Sequence, residues 1–216
     1  MMNFLPEMSV FIAFTATAIL LFLTPGPDMS LFLARTMAAG RKAGIASAMG
    51  ANLGCVVHTL LVAFGISALV AASHLGFLIL KIVGAGYLFW LAVNAIRHGS
   101  SLNVSTAGQK PATALSSFLM GITVNLTNPK IVLFYITFLP QFVSAGDPFL
   151  RQKLLFFGFY FAALSVPLSI ILILVAGRLV GWLKARPKVL RGIDFTFAGV
   201  FALFALKIAF TEGQLK

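Results

Sequence analysis

Leu23-Thr24-Pro25-Gly26-Pro27-Asp28 interrupts one long apolar run, and Asn125-Leu126-Thr127-Asn128-Pro129-Lys130 interrupts another. The first run is uncharged from Met8 to Pro27 and continues from Met29 to Ala39 with Arg35 as its one charge. The second extends from Ala114 to Ala145. Each is too long for one upright membrane helix, which needs about 20 apolar residues. Each is broken near its middle by proline, which removes a backbone donor and clashes with the preceding turn. A chain that twice places proline next to a charge inside an apolar run is organised around those breaks.

The composition fits this reading. Of 216 residues, 60% are hydrophobic and 10% charged, against about 25% charged in a soluble domain. Disorder is excluded by the same surplus, because it needs low hydrophobicity. The 16 Lys+Arg against 5 Asp+Glu would suggest nucleic acid on a soluble protein. Beside apolar runs they report membrane orientation. The single cysteine, Cys55, excludes an internal disulfide framework and a CxxC pair. Residues Met1 to Glu7 carry no Lys or Arg, so the first run reads as a retained span and not a signal peptide.

Four further runs complete the pattern: Gly44 to Ser73, about Leu75 to Ile96, Leu154 to Gly177 with a kink expected at Pro167, and about Leu190 to Phe210. Gly99 to Thr113, rich in Ser, Gly, Asn and Thr, reads as the longest loop. The expected fold is an all-α integral membrane protein of six transmembrane helices forming a single domain, 1–216. It is expected to hold two inverted three-helix repeats, about 8–97 and 114–210, with helices 1 and 4 broken. Three spans per repeat is an odd number, so the second repeat must be inverted. Weak internal similarity, Gly86 to Ala92 against Gly199 to Ala205, agrees with this. Arg35, Arg41, Lys42, Arg97, Lys110, Arg178, Lys184, Arg186, Lys188 and Arg191 all fall in the loops after odd-numbered spans. Those loops are expected in the cytoplasm, with both termini outside.

Broken helices at matching positions of two inverted repeats point to the binding site of a secondary transporter. Pro25, Pro27 and Pro129 deprive the carbonyls of Leu21, Leu23 and Asn125 of their helical donors, and lipid cannot replace them. Each restarting half-helix offers free N–H groups to a carboxylate. Each ending half-helix offers carbonyls to an ammonium. A zwitterionic amino acid suits both. The bland alternative is that the prolines only kink their helices. Asp28 and Lys130 stand at the two breaks, where buried charge is costly and marks a pathway. Asp28 is expected to meet a substrate ammonium or carry a coupling proton, or simply to complement the helix dipole. Lys130 is expected to meet a carboxylate, pair with Asp28, or serve a structural role only. Asn125 and Asn128 flank the second break and can either cap backbone or bind substrate.

The remaining candidates read as structural. Lys81 and Lys207 are expected to snorkel to the interface, and Asp194 to offset the nearby basic loop. Cys55 and His58 can share a helix face, but two groups make a poor zinc site. A polar interhelical contact by His58 fits better. Ala46, Gly50 and Gly54 recur every four residues, the spacing of close helix packing. No HExxH, GxSxG or CxxC is present, which weighs against a membrane enzyme. Acids are too sparse for a metal transporter's carboxylate site.

Thr24-Pro25-Gly26-Pro27-Asp28 is followed by Gly40-Arg41-Lys42-Ala43-Gly44 and Gly50-Ala51-Asn52-Leu53-Gly54. The second half carries Asn125 to Lys130, then Phe134 and Leu139-Pro140-Gln141-Phe142. In order and spacing this set resembles the lysine exporter / homoserine-threonine resistance (LysE/RhtB) family of bacterial amino-acid efflux permeases, over nearly the whole chain. The resemblance implies an inner-membrane exporter of amino acids or close derivatives, driven by protons and needing no cofactor. It places functional weight on Pro25, Gly26, Pro27, Asp28, Asn128, Pro129 and Lys130. A homo-oligomer is left open. With Asp28 as the one acid clearly at depth, a neutral substrate is favoured over a dibasic one.

Overall fold

The computed structural model of the chain describes residues 5–98, 113–144 and 146–211. Among these residues the structure is helical and contains no strand. Helix α1 (Met8–Leu23) and α2 (Pro27–Ala39) meet at a 52° bend. Helix α3 (Arg41–Ala72) follows, then α4 (His74–His98) and α5 (Ala114–Thr127). The short α6 (Pro129–Leu133) leads into a π turn at Phe134–Phe138 and a 3₁₀ turn at Leu139–Phe142. That segment bends 53° from α5. Helix α7 (Leu150–Leu174), α8 (Ala176–Lys184) and α9 (Pro187–Thr211) complete the chain.

Both breaks stand where proline stands. Pro27 and Pro129 occupy the first position of the restarting helices, where the missing N–H would have no helical partner anyway. Helices α3 and α7 are each long and apolar enough to cross a membrane. The two bent pairs also qualify, which makes two to four candidate spans among the described residues. Helices α4 and α9, each of 25 residues, coincide with the third and sixth runs. Pro167 lies inside α7, which stays helical through it. The amphipathic α8 was not anticipated. Its Ala176, Val180 and Leu183 are buried, while Arg186 stacks over the Trp182 ring. Residues 99–112 of the expected long loop, with Lys110, lie outside the described residues, as do Lys216 and the side chains of Lys81 and Lys207. Asp194 is buried in α9.

Helix α2 joins α3 at Gly40, whose φ of 82° favours glycine. Two side chains tie the basic connections to one end of the bundle. Arg41 donates to the Leu174 carbonyl at 3.5 Å, and Arg191 donates to the Ile96 carbonyl. At the opposite end, Asp147 opens α7. Its Oδ1 accepts from the Phe149 N–H at 2.8 Å and its Oδ2 from Lys153. The bond from the Lys153 ammonium holds the Asp147 carboxyl below the usual carboxylate range.

Helix α3 is the central post, packed against α2, α5 and α7. Its approach to α5 is backbone to backbone. A Cβ added at Gly50 would fall on the Phe118 carbonyl, and one at Gly121 on the Ser47 carbonyl. The small-residue stripe is therefore a packing surface: Gly50 and Gly54 on α3 meet α5, where Gly121 gives the matching clearance. Gly50→Ala is expected to destabilise the fold by about 2 kcal/mol, since backbone must move to admit a methyl. Thermal unfolding in detergent measures this. Behind α3, an aromatic cluster from α1, α7 and the π and 3₁₀ turns fills one half of the core. Phe14 sits at its centre, 4.5 Å from Phe157 and 5.1 Å from Phe142 between ring centroids.

Candidate functional site

The first break is held open by a side chain from the second. Pro25 has no N–H to offer the Leu21 carbonyl, and the chain leaves α1 in extended conformation at Thr24. Lys130 Nζ fills the gap, donating to Leu21 O at 3.1 Å and Thr24 O at 2.7 Å. Carbonyls at a helix C-terminus carry the negative end of the dipole, so an ammonium is the natural partner. Gly26 makes the approach possible. A Cβ there would stand 3.2 Å from Lys130 Nζ, tighter than ordinary contact.

The second break is organised by its asparagines. Asn128 Oδ1 accepts from the Lys130 N–H at 3.1 Å and so caps α6. Pro129 leaves the Asn125 carbonyl without its helical donor. The Asn128 N–H approaches that carbonyl at 3.1 Å, and His58 Nε2 lies 3.5 Å from it. His58 thus makes the interhelical contact expected of it, stacked 5.3 Å from the Tyr135 ring. The Asn125 side chain turns the other way. Its Nδ2 donates to Asp28 Oδ2 at 2.8 Å, and its Oδ1 lies 3.8 Å from Cys55 Sγ.

The two breaks are therefore tied twice. Lys130 from the second secures the backbone of the first, and Asn125 from the second secures Asp28 from the first. Asp28 and Lys130 share a cavity wall, but their hydrogen bonds go to other partners. Among the described residues, no group of three or more His, Cys, Asp or Glu could hold a metal.

Between the breaks lies a cavity. Asp28, Asn125 and Lys130 line it. Pro25, Gly26, Pro27, Asn128 and Pro129 do not, and act by shaping the backbone. Asp28 Oδ1 and Asn128 Nδ2 are enclosed and make no short hydrogen bond, and the Asn128 side chain lies within reach of the Asp28 carboxylate. The wall also includes Asn52, Ser165 and Ser169, which sequence reasoning passed over. A signal existed for Asn52, an amide in an apolar run free of charge from Gly44 to Ser73.

The chain matches the LysE type translocator family over residues 19–212. It is 30% identical to the homoserine/homoserine lactone efflux protein of Salmonella typhimurium, covering 91% of this chain and 94% of that protein. It is 30% identical to the leucine efflux protein of Klebsiella pneumoniae, covering 92% and 94% respectively. An uncharacterized membrane protein of Vibrio cholerae is 31% identical over 64% of this chain and 67% of its own length. No solved structure matches the chain. With a family match over most of its length and a double break at its centre, the chain belongs to the LysE type translocator family of membrane proteins, whose members are translocators and not enzymes.

Proposed function

We propose that this protein is a secondary transporter that exports neutral amino acids or close derivatives from the bacterial cytoplasm across the inner membrane. The observation that carries this reading is the pair of cross-tied breaks, with Asp28, Asn125 and Lys130 lining the cavity between them. The substrate ammonium binds at Asp28. Its carboxylate meets the Lys130 ammonium, which keeps a third N–H beyond its two bonds to backbone. Relatives named for homoserine and leucine efflux support an amino-acid substrate.

The single domain holds six spans: α1–α2, α3, α4, α5 with the segment to Phe142, α7 and α9. These form two inverted repeats that rock about the site to give alternating access. The matched bends of 52° and 53° support the repeat. Arg41 and Arg191 draw the basic loops to one end, which is the cytoplasmic one by the excess of positive charge. A proton moving inward through Asp28 drives export.

The test is counterflow and efflux in proteoliposomes of the purified protein. Neutral amino acids are expected to leave the vesicles faster when a pH gradient drives protons the opposite way. Efflux of no amino acid above empty liposomes would overturn the substrate reading, and efflux indifferent to the gradient would overturn proton coupling.

A further inference from the structure

Away from the two breaks, the cavity wall carries a polar trio within an otherwise apolar surface. Asn52 comes from α3, while Ser165 and Ser169 lie one turn apart on α7. Met29, Phe32 and Ala48 also line the cavity. The trio's hydrogen bonds have a direction. Asn52 Nδ2 donates to Ala162 O at 2.6 Å and to Ser165 Oγ at 2.8 Å, so both amide protons are committed. Ser165 Oγ donates to Ala162 O at 2.8 Å. Ser169 Oγ donates to Ser165 O at 2.7 Å.

Every proton the trio owns therefore points into protein. What remains is acceptor capacity: Asn52 Oδ1 and the lone pairs of two hydroxyls. A ligand group meeting this wall must bring the proton itself. Hydroxyls and primary amides can do so, and an aliphatic group cannot. A side-chain ammonium can too, but it would need a second counter-charge away from water. Asp28 is the one carboxylate lining the cavity, and it stands at the break.

We propose that Asn52, Ser165 and Ser169 form a side-chain subsite that selects a neutral amino acid ending in a hydrogen-bond donor over its aliphatic isostere. This rests on the amino-acid reading above and deepens it. An isostere without the donor displaces water from the acceptors and leaves them unpaired, the arrangement that discriminates most strongly between ligands of equal size. One neutral hydrogen bond corresponds to about a tenfold preference.

Homoserine and norvaline are a suitable probe pair, since they differ by a hydroxyl in place of a methyl. Competition against labelled homoserine in proteoliposome counterflow measures the ratio of their half-saturation concentrations. The native protein is expected to favour homoserine about tenfold, with lysine competing poorly. Asn52→Leu is expected to bring the ratio to within about twofold of unity. The double variant Ser165→Ala/Ser169→Ala, which leaves the Asn52–Ala162 bond in place, gives the same reading if Asn52→Leu does not insert. A native protein that carries both probes equally, or a preference that survives these substitutions, would overturn the subsite alone. Absence of counterflow with every amino acid would overturn the transport reading and the subsite together.

Discussion

Lys130→Met is expected to lower amino-acid efflux about a thousandfold, because it removes two charge-assisted hydrogen bonds worth about 1.5–3 kcal/mol each. The Leu21 and Thr24 carbonyls that it leaves have lost their ordinary donors to proline and lie where lipid cannot serve them. Water or a shifted α1 must then satisfy them, and in either case the cavity changes shape. Initial efflux rates from proteoliposomes, with protein insertion quantified, are the measurement. The thermal midpoint in detergent should fall as well, which separates this role from pure substrate contact. A lysine that only met substrate would leave the midpoint where it was. Arginine is not expected to restore function. Its planar fork cannot reproduce the compact ammonium seated against Gly26.

Asp28→Asn is expected to reduce efflux about a hundredfold, the loss of one well-placed charged contact with the substrate ammonium. The fold should tolerate it better than the lysine change. An amide oxygen at the Oδ2 position can still accept from Asn125 Nδ2, and the side-chain volume is nearly unchanged. The diagnostic readout is the response to a pH gradient. In the native protein an imposed gradient is expected to change the efflux rate. In Asp28→Asn the residual efflux should be indifferent to it, because an amide cannot carry the proton. Residual efflux that still followed the gradient would place the proton elsewhere.

Much of the architecture could be read from local chemistry. An apolar run of about 20 residues has to become a helix in a bilayer, where no other single-segment structure satisfies its backbone. Proline removes a donor wherever it stands, so both breaks were legible to within a residue or two. The candidate residues Asp28 and Lys130 were legible through cost, since charge inside an apolar run is expensive and marks a pathway. The π and 3₁₀ turns after α6 were not legible. They form where Phe134, Phe138 and Phe142 turn into the aromatic cluster with Phe14 and Phe157, a demand made by partners distant in the chain. Helix α8 escaped for a related reason. Its basic residues read as loop, whereas its buried stripe of Ala176, Val180 and Leu183 acquires meaning only against the helices it packs on.

By itself the sequence determined the class of protein, the position of both breaks and the charged pair worth mutating. All of these follow from short-range rules: hydropathy over a span, proline over a turn, charge beside a helix end. Only the tertiary structure decided what those residues touch. Lys130 reaches across to α1 carbonyls and Asn125 holds Asp28, through contacts 109 and 97 residues apart in the chain. The trio of Asn52, Ser165 and Ser169 faces one cavity because α3 and α7 pack together. Such contacts depend on how helices approach one another. At Gly50 and Gly121 that approach is governed by the few ångströms of clearance left by a missing side chain, a quantity no local pattern encodes.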